Sequence, residues 1–200
     1  MKNIIARQRF AYGRVVLMVI LLGAGWLVLR CRTKAPAPAP RLVEVARTNL
    51  VLQTNGWYAR GQTNLFYGIL VDYYPGGRVM SRSVVSNGLL EGLSEGWYTN
   101  GQLQVRETYR ANYSDGTRTR WFANGNKLSE ATVLHGKING LYRRWYEDGK
   151  LAEEIPMKDG QIDGEGRAYY PSGYVKATVK YQAGKVVQQQ SWKDGEQKGG

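Results

Sequence analysis

Cysteine and histidine are nearly absent from this chain. Its 200 residues hold one of each, Cys31 and His135. A single cysteine forbids an intrachain disulfide, so the fold must be stable without a covalent staple. One cysteine and one histidine supply neither a structural zinc cage nor the usual Cys/His nucleophilic pair, and no metal or cofactor is expected. From Thr48 onward, no stripe of apolar residues recurs at the 3.6-residue helical period. A strongly basic C-terminal region is missing too. The formal charge of +12 invites a nucleic-acid reading. Residues 1–47, however, carry nine Lys/Arg against one acid, whereas residues 48–200 carry nineteen against fifteen. The excess sits at the N-terminus, and no nucleic-acid partner is expected.

One long apolar run does occur. Val15 to Leu29 is fifteen residues without a charge, between Arg14 and Arg30. As a helix it covers about 22 Å, against a hydrocarbon core of about 30 Å. Arg14 and Arg30 can snorkel outward, and Phe10, Tyr12 and Trp26 suit the interface. Residues 15–29 are therefore expected to be a transmembrane signal-anchor helix behind a basic segment, residues 1–14. A cleaved signal peptide is the competing reading, but Arg30, Arg32 and Lys34 stand where small neutral residues should precede the cut. Arg30 also takes the place that should be small before a lipidated Cys31. Basic residues flank both ends, so charge does not set the orientation; the common pattern for such anchors puts the repeats on the extracytoplasmic side. Residues 30–47 form a linker whose Ala35 to Pro40 favours extended polyproline II, a semi-rigid spacer.

The remainder repeats every 24 residues. An aromatic pair returns as Tyr73-Tyr74, Trp97-Tyr98, Trp121-Phe122, Trp145-Tyr146 and Tyr169-Tyr170. Glycine follows each pair at Gly77, Gly101, Gly125, Gly149 and Gly173, and precedes each at Gly68, Gly92, Gly116, Gly140 and Gly164. A third column reads Gly88, Gly136, Gly160 and Gly184, with Asn112 in the gap. Such periodicity means an array whose units bury their faces only against neighbours. Short runs of Val, Leu, Tyr and Trp cut by Gly, Asn and Asp are strand-like. The expected fold is all-β: an elongated, single-sheet antiparallel array with one hairpin per repeat, over residues 48–200. Its units are 68–91, 92–115, 116–139, 140–163 and 164–187, with a short cap at 55–67 and a C-terminal edge at 188–196. Type I′ hairpin turns are expected at Gly76-Gly77, Asn100-Gly101, Asn124-Gly125, Asp148-Gly149 and Ser172-Gly173, because such turns need positive φ at both centres. Longer connections are expected between units. Strand alternation places Tyr73, Trp97, Trp121, Trp145 and Tyr169 on one face and Tyr74, Tyr98, Phe122, Tyr146 and Tyr170 on the other. Val85, Tyr109, Val133, Met157 and Tyr181 on the partner strands are expected to help cover the ladder.

The unit aromatic–aromatic–x–(Asn/Asp)–Gly–(Gln/Lys)–Leu, best seen at Trp97 to Leu103 and Trp145 to Leu151, resembles the bacterial variant of the MORN repeat, the membrane occupation and recognition nexus motif. The resemblance covers roughly residues 55–196. It implies an elongated antiparallel hairpin array used for protein contacts or assembly. Some members of that family carry an antitoxin label, and its name suggests lipid binding.

No catalytic constellation stands out. Gly92-Leu93-Ser94-Glu95-Gly96 spells a nucleophile elbow, but Ser94's column continues as Arg118, Tyr142 and Gly166, a by-product of the repeat. His135 is expected to be a turn residue. The candidate interaction surface is the ladder Tyr73, Trp97, Trp121, Trp145 and Tyr169, since exposed aromatic patches mark contact sites. Arg118, Arg120, Arg143 and Arg144 are a candidate basic rim for an anionic partner. The expected role is a non-enzymatic, membrane-anchored scaffold for protein–protein contacts. An antitoxin- or immunity-type binder of a partner protein is the first alternative, and a binder of anionic lipid or cell-wall glycan the second.

Overall fold

The computed structural model describes residues 42–196 in full and, as paired strands only, Leu17–Leu22 (β1) and Gly25–Arg30 (β2). Contacts divide the chain into two units, Met1–Arg41 and Leu42–Gly200. In the first, β1 and β2 pair antiparallel, from Leu17 opposite Arg30 to Leu22 opposite Gly25. The helix expected over residues 15–29 is therefore replaced by a hairpin. Val19, Ile20 and Val28 are β-branched and favour strands, and Gly23 and Gly25 are poor helix formers in the middle of the run. Among the described residues no helix is long and apolar enough to cross a membrane. The basic segment 1–14, the stretch 31–41 with Cys31 and the Pro-Ala run, and residues 197–200 lie outside the described residues.

The second unit is all-β. It opens with Glu44–Ala46 (β3), a short 3-10 turn at Arg47–Asn49, and the hairpin Leu50–Gln53 (β4) and Gly56–Ala59 (β5). The strands that follow are Gly68–Tyr73 (β6), Val79–Ser86 (β7), Leu89–Trp97 (β8), Leu103–Arg110 (β9), Tyr113–Ser114 (β10), Gly116–Trp121 (β11) and Lys127–Leu134 (β12). Next come Lys137–Ile138 (β13), Gly140–Trp145 (β14), Leu151–Lys158 (β15), Gln161–Ile162 (β16), Gly164–Tyr169 (β17), Val175–Gln182 (β18) and Lys185–Ser191 (β19). Fifteen strands form one sheet in the order β19-β18-β17-β15-β14-β12-β11-β9-β8-β7-β6-β3, with β10, β13 and β16 pairing onto β9, β12 and β15. Every neighbour pair is antiparallel except β3 with β6, which the intervening β4–β5 hairpin turns parallel. This is the hairpin array expected from the 24-residue period. The sheet also reaches back to Glu44, into residues expected as linker.

The cap is larger than expected. Leu50, Phe66, Leu70 and Val85 form its core, with Val45, Trp57, Ala59 and Leu90 packed against them. Backbone bonds tie it to the first unit, Trp57 N–H to the Gly88 carbonyl at 2.8 Å and Gly88 N–H to the Phe66 carbonyl at 2.9 Å. Trp57 thus belongs to an end structure with a small core of its own.

The two turn classes are exchanged relative to expectation. Within units, Gly101, Gly125, Gly149 and Gly173 have φ near +90°, but the residue before each is not left-handed. The Gly101 N–H donates to the Tyr98 carbonyl at 2.9 Å and the Tyr98 N–H to the Gln102 carbonyl at 2.8 Å. That is a three-residue loop, a type I turn closed by a glycine bulge. Asn and Asp recur before the glycine because Asn100, Asn124 and Asp148 each accept the N–H two residues on, at 3.0, 2.9 and 3.0 Å. Only Gly76-Gly77 is left-handed at both positions of this loop.

The two-residue I′ turns lie between units. Asn87-Gly88, Ala111-Asn112, His135-Gly136, Asp159-Gly160 and Ala183-Gly184 all have positive φ at both residues, 48–51° at the first and 69–84° at the second. Asn112 replaces glycine there because asparagine tolerates the left-handed region best among the other residues.

The faces follow from register. Gly68, Gly92, Gly116, Gly140 and Gly164 sit opposite Val85, Tyr109, Val133, Met157 and Tyr181. Each ladder aromatic lies five positions beyond its glycine, an odd step, so it points to the other face. The column expected to cover the ladder therefore lies on the opposite face, across from the glycines. The ladder's cross-strand partners are Val79, Leu103, Lys127, Leu151 and Val175, reached through a bulge in each hairpin.

Alanine at the first I′ position is strained, since a Cβ in left-handed backbone costs about 1 kcal/mol or more. Ala183, at φ 49°, is followed by Gly184 and is exposed. Ala183→Asn is expected to raise stability by about 1 kcal/mol, read as a higher urea midpoint at unchanged slope. An unchanged or lower midpoint would remove the I′ assignment at this turn.

Candidate interaction surface

The five ladder aromatics end β6, β8, β11, β14 and β17 and share one face, as their spacing predicts. Their exposure is graded. Tyr73 is 46 % exposed and Tyr169 only 7 %. Trp97, Trp121 and Trp145 are half-buried. The Lys127 ammonium lies 4.8 Å from the Trp145 ring centre, close enough for a cation–π contact. Tyr169 is closed in by a 3.2 Å hydrogen bond from its hydroxyl to Glu154 Oε2, and burial pushes its pKa up. The ladder is thus open at the Tyr73 end and shut at the Tyr169 end.

The second aromatics do different work. The hydroxyls of Tyr74, Tyr98, Tyr146 and Tyr170 donate to the carbonyls of Trp97, Trp121, Tyr169 and Trp192 in the next unit, at 2.8, 2.8, 2.6 and 3.0 Å. Phe122 cannot make this bond, and among the described residues no tyrosine reaches the Trp145 carbonyl. Turn residues reinforce the same margin. Asn100 and Asn124 donate to the carbonyls of Ala123 and Glu147 at 2.8 and 3.0 Å, and Lys150 to Pro171 at 2.6 Å.

The opposite margin is stitched by side-chain acceptors. Glu91, Asp115, Asn139 and Asp163 take the backbone N–H of Ala111, His135, Asp159 and Ala183, the first residues of the next I′ turns, at 2.8 to 3.4 Å. His135 is therefore a turn residue held through its main chain. Asn112, the residue in the gap of the third glycine column, accepts the Leu90 N–H at 2.7 Å within the Ala111-Asn112 turn. Ser94 lies in mid-strand, its hydroxyl 2.7 Å from that of Ser83.

The candidate basic rim is largely neutralised. Arg118 meets Glu107 at 2.7 Å, Arg143 meets Glu154 at 2.8 Å and Arg144 meets Glu153 at 3.5 Å. Arg143 and Arg144 are adjacent in β14 and point to opposite faces. Among the described residues Arg120 makes no ion pair; it lines a cleft of about 370 Å³ with Tyr98, Gln104, Val105, Glu107, Trp121 and Leu128. The sequence did carry a signal for these pairs. Glu95–Arg106, Glu107–Arg118 and Arg143–Glu154 are all eleven residues apart, the cross-strand spacing of the array.

Glu107 is the most heavily bonded acid. Arg118 Nε and Ser114 Oγ donate to its Oε2 at 2.7 and 3.0 Å, and the Tyr109 hydroxyl to Oε1 at 2.9 Å. Burial raises the Glu107 pKa, but the hydrogen bonds from Arg118, Tyr109 and Ser114 and the Arg118 charge together outweigh it, and the net shift is down. Burial and the neighbouring carboxylate push Tyr109 up to about 12. The cluster joins β9, β10 and β11, so it links two units through side chains alone.

The family model for the MORN repeat variant matches residues 90–111 and 138–159. The two matches are 48 residues apart, two periods of the array. The first begins at the second residue of β8 and the second at the last residue of β13, and each runs through a full hairpin to the first residue of an I′ turn. No curated protein matches the chain.

Two measurements follow from these bonds. Tyr98→Phe is expected to cost about 1 kcal/mol, and Phe122→Tyr to gain a comparable amount by reaching the Trp145 carbonyl. Opposite signs in urea unfolding support the clamp, while two losses would mean that the hydroxyls do not carry it. The second concerns Tyr109. Its folded pKa exceeds the unfolded value near 10, so its contribution is full below pH 10 and is lost as pH rises through about 12. In an ultraviolet titration of the folded protein, one phenolate step is expected near pH 12; Glu107→Gln should lower it and Tyr109→Phe abolish it.

Proposed function

We propose that this protein is a non-enzymatic scaffold that binds a partner protein along the open part of the aromatic ladder, Tyr73, Trp97, Trp121 and Trp145. The observation that carries the proposal is the in-register row of exposed and half-buried rings on one sheet face. Rings of this kind anchor protein interfaces because they bring large apolar area at low entropic cost. Binding led by charge has less support. Arg118, Arg143 and Arg144 are already matched by acids across the sheet, which weakens the lipid and polyanion readings.

The apolar segment 15–29 is proposed to hold the scaffold at a membrane, with the repeats on the extracytoplasmic side. A two-stranded hairpin has two open edges, and hydrocarbon offers no partner for their N–H and C=O groups. Lipid insertion would therefore convert the segment to a helix, whose backbone bonds close internally. Arg14 and Arg30 would mark its ends.

The test is one experiment on intact membranes. The full-length protein is cross-linked in place, extracted with detergent and compared with a Trp97→Ala, Trp121→Ala, Trp145→Ala variant whose folding is checked by circular dichroism. The expected result is an integral protein that resists carbonate extraction and captures one specific partner, lost in the folded variant. Suppression of a toxic co-encoded protein would identify that partner as the antitoxin reading requires. Capture that survives loss of the three tryptophans would sink the ladder proposal. Release by carbonate would sink the anchor.

A further inference from the structure

The residue just before each ladder aromatic is turned by alternation to the opposite face: Asp72, Gly96, Arg120, Arg144 and Ala168. Asp72 has a counter-ion in Arg47 at 3.2 Å, and Arg144 has one in Glu153 at 3.5 Å. Arg120, the other charged residue of this column, has none among the described residues. One substitution between units accounts for the difference. Arg144 is opposite Glu153 in β15, whereas Arg120 is opposite Ser129 in β12, and Ser129 and Glu153 hold the same place in successive units. On its other side Arg120 is opposite Val105, which carries no charge. The array repeats the arginine here and omits its acid.

Glu107 lies on the same face, two residues along β9 from Val105, but its oxygens already accept hydrogen bonds from Arg118, Ser114 and Tyr109. The Arg118 guanidinium at 2.7 Å balances its charge. The cleft of about 370 Å³ that Arg120 lines with Glu107 therefore holds one positive charge without a match. That volume falls in the lower range of small-ligand sites, roughly 300–1,000 Å³. Val105, Leu128, Tyr98 and Trp121 line the rest with apolar and aromatic atoms, and Gln104 adds an amide. Gln104 and Leu128 are the extra residues of the bulges in β9 and β12, the irregularity that re-aims side chains next to sites.

We propose that this cleft binds a small carboxylate carried on an apolar body, the carboxylate on the Arg120 guanidinium and the body against Val105 and Leu128. The planar guanidinium presents paired N–H donors that match both oxygens of a carboxylate. A single unmatched cation beside Glu107 suits a monoanion better than a phosphate dianion, whose second charge would face the Glu107 carboxylate. A neutral apolar molecule would cover Arg120 and leave it without a counter-ion, at a cost in desolvation. The carboxylate can belong to a free organic acid or to the C-terminal residue of a peptide. The proposal does not rest on what the ladder binds, since Arg120 and the ladder rings point to opposite faces; of the ladder residues, Trp121 borders the cleft.

The experiment is a calorimetric titration of the full chain, in mild detergent at neutral pH, with 3-phenylpropionate, N-acetyl-phenylalanine and the uncharged primary amide of each. Saturable binding of an acid is expected, with its amide weaker by about tenfold or more. Arg120→Gln, at an exposed site, should keep the circular dichroism spectrum and weaken the acid by a similar factor while leaving the amide unchanged. Ser129→Glu copies the Arg144–Glu153 pair into the preceding unit, so it should fill the place of the ligand's carboxylate and block the acid too. If N-acetyl-phenylalanine binds and 3-phenylpropionate does not, the carboxylate is that of a peptide end; if both bind alike, it is that of a free acid. Either result supports the proposal. Absence of saturable binding of both acids up to about 10 mM overturns it. An amide that binds as tightly as its acid, or an acid whose affinity survives Arg120→Gln or Ser129→Glu in the folded protein, overturns it as well.

Discussion

Every unit of this array depends on hydrogen-bonding groups that it cannot supply itself. A sheet of one layer has no second layer to bury a face against, so the usual apolar core is largely unavailable. The recurring substitute is a side chain that crosses one unit boundary to a main-chain partner. Tyr74, Tyr98, Tyr146 and Tyr170 do this along one margin, and Glu91, Asp115, Asn139 and Asp163 along the other. Each such bond contributes about 1 kcal/mol net, but both margins of a boundary act together and fix its register. Stability then resides in nearest-neighbour interfaces, as the physics of repeat arrays requires. The Phe122 boundary lacks its hydroxyl but keeps the Asn124 and Asn126 amides on the Glu147 carbonyl, at 3.0 and 2.8 Å.

Much of this fold was legible because a period-24 pattern constrains every unit at once. Strand type, the one-hairpin-per-period arrangement and the face of the ladder all follow from columns of glycine and paired aromatics. Turn type did not follow, for a definite reason. Asn-Gly satisfies two chemistries: asparagine tolerates left-handed backbone, and it also accepts the amide two residues on. Asn100 and Asn124 use the second property, whereas the left-handed pairs fall at Ala111-Asn112, His135-Gly136 and their equivalents. Residues as unlike as alanine and histidine at that place hide the turn, because the constraint is on φ and the side chain points to solvent.

The surface was legible in outline and not in degree. Period-2 alternation puts the aromatics on one face, but it says nothing of Lys127 over Trp145 or Glu154 on Tyr169, contacts made by adjacent strands. The basic run is a similar case. Arg118, Arg143 and Arg144 read as surplus charge in one dimension and are matched across the sheet in three. The N-terminal run is a different case. Val15 to Leu29 is continuously apolar and also rich in β-branched residues, so its composition alone does not separate one helix from the paired strands seen at Leu17–Leu22 and Gly25–Arg30.

The sheet is directional, and the two ends show it in physical terms. At the β3 end, backbone bonds from Trp57, Phe66 and Gly88 fold the cap onto the first unit, and four buried apolar side chains hold it there. At the β19 end the side chains that serve the margins are still in place: the Tyr170 hydroxyl reaches the Trp192 carbonyl at 3.0 Å, and Ser172 reaches Asp194. Those bonds secure β19 to the sheet through its flanks. The last described strand is thus held by the same kind of margin clamp as the earlier unit boundaries, whereas the first is held by a small apolar core.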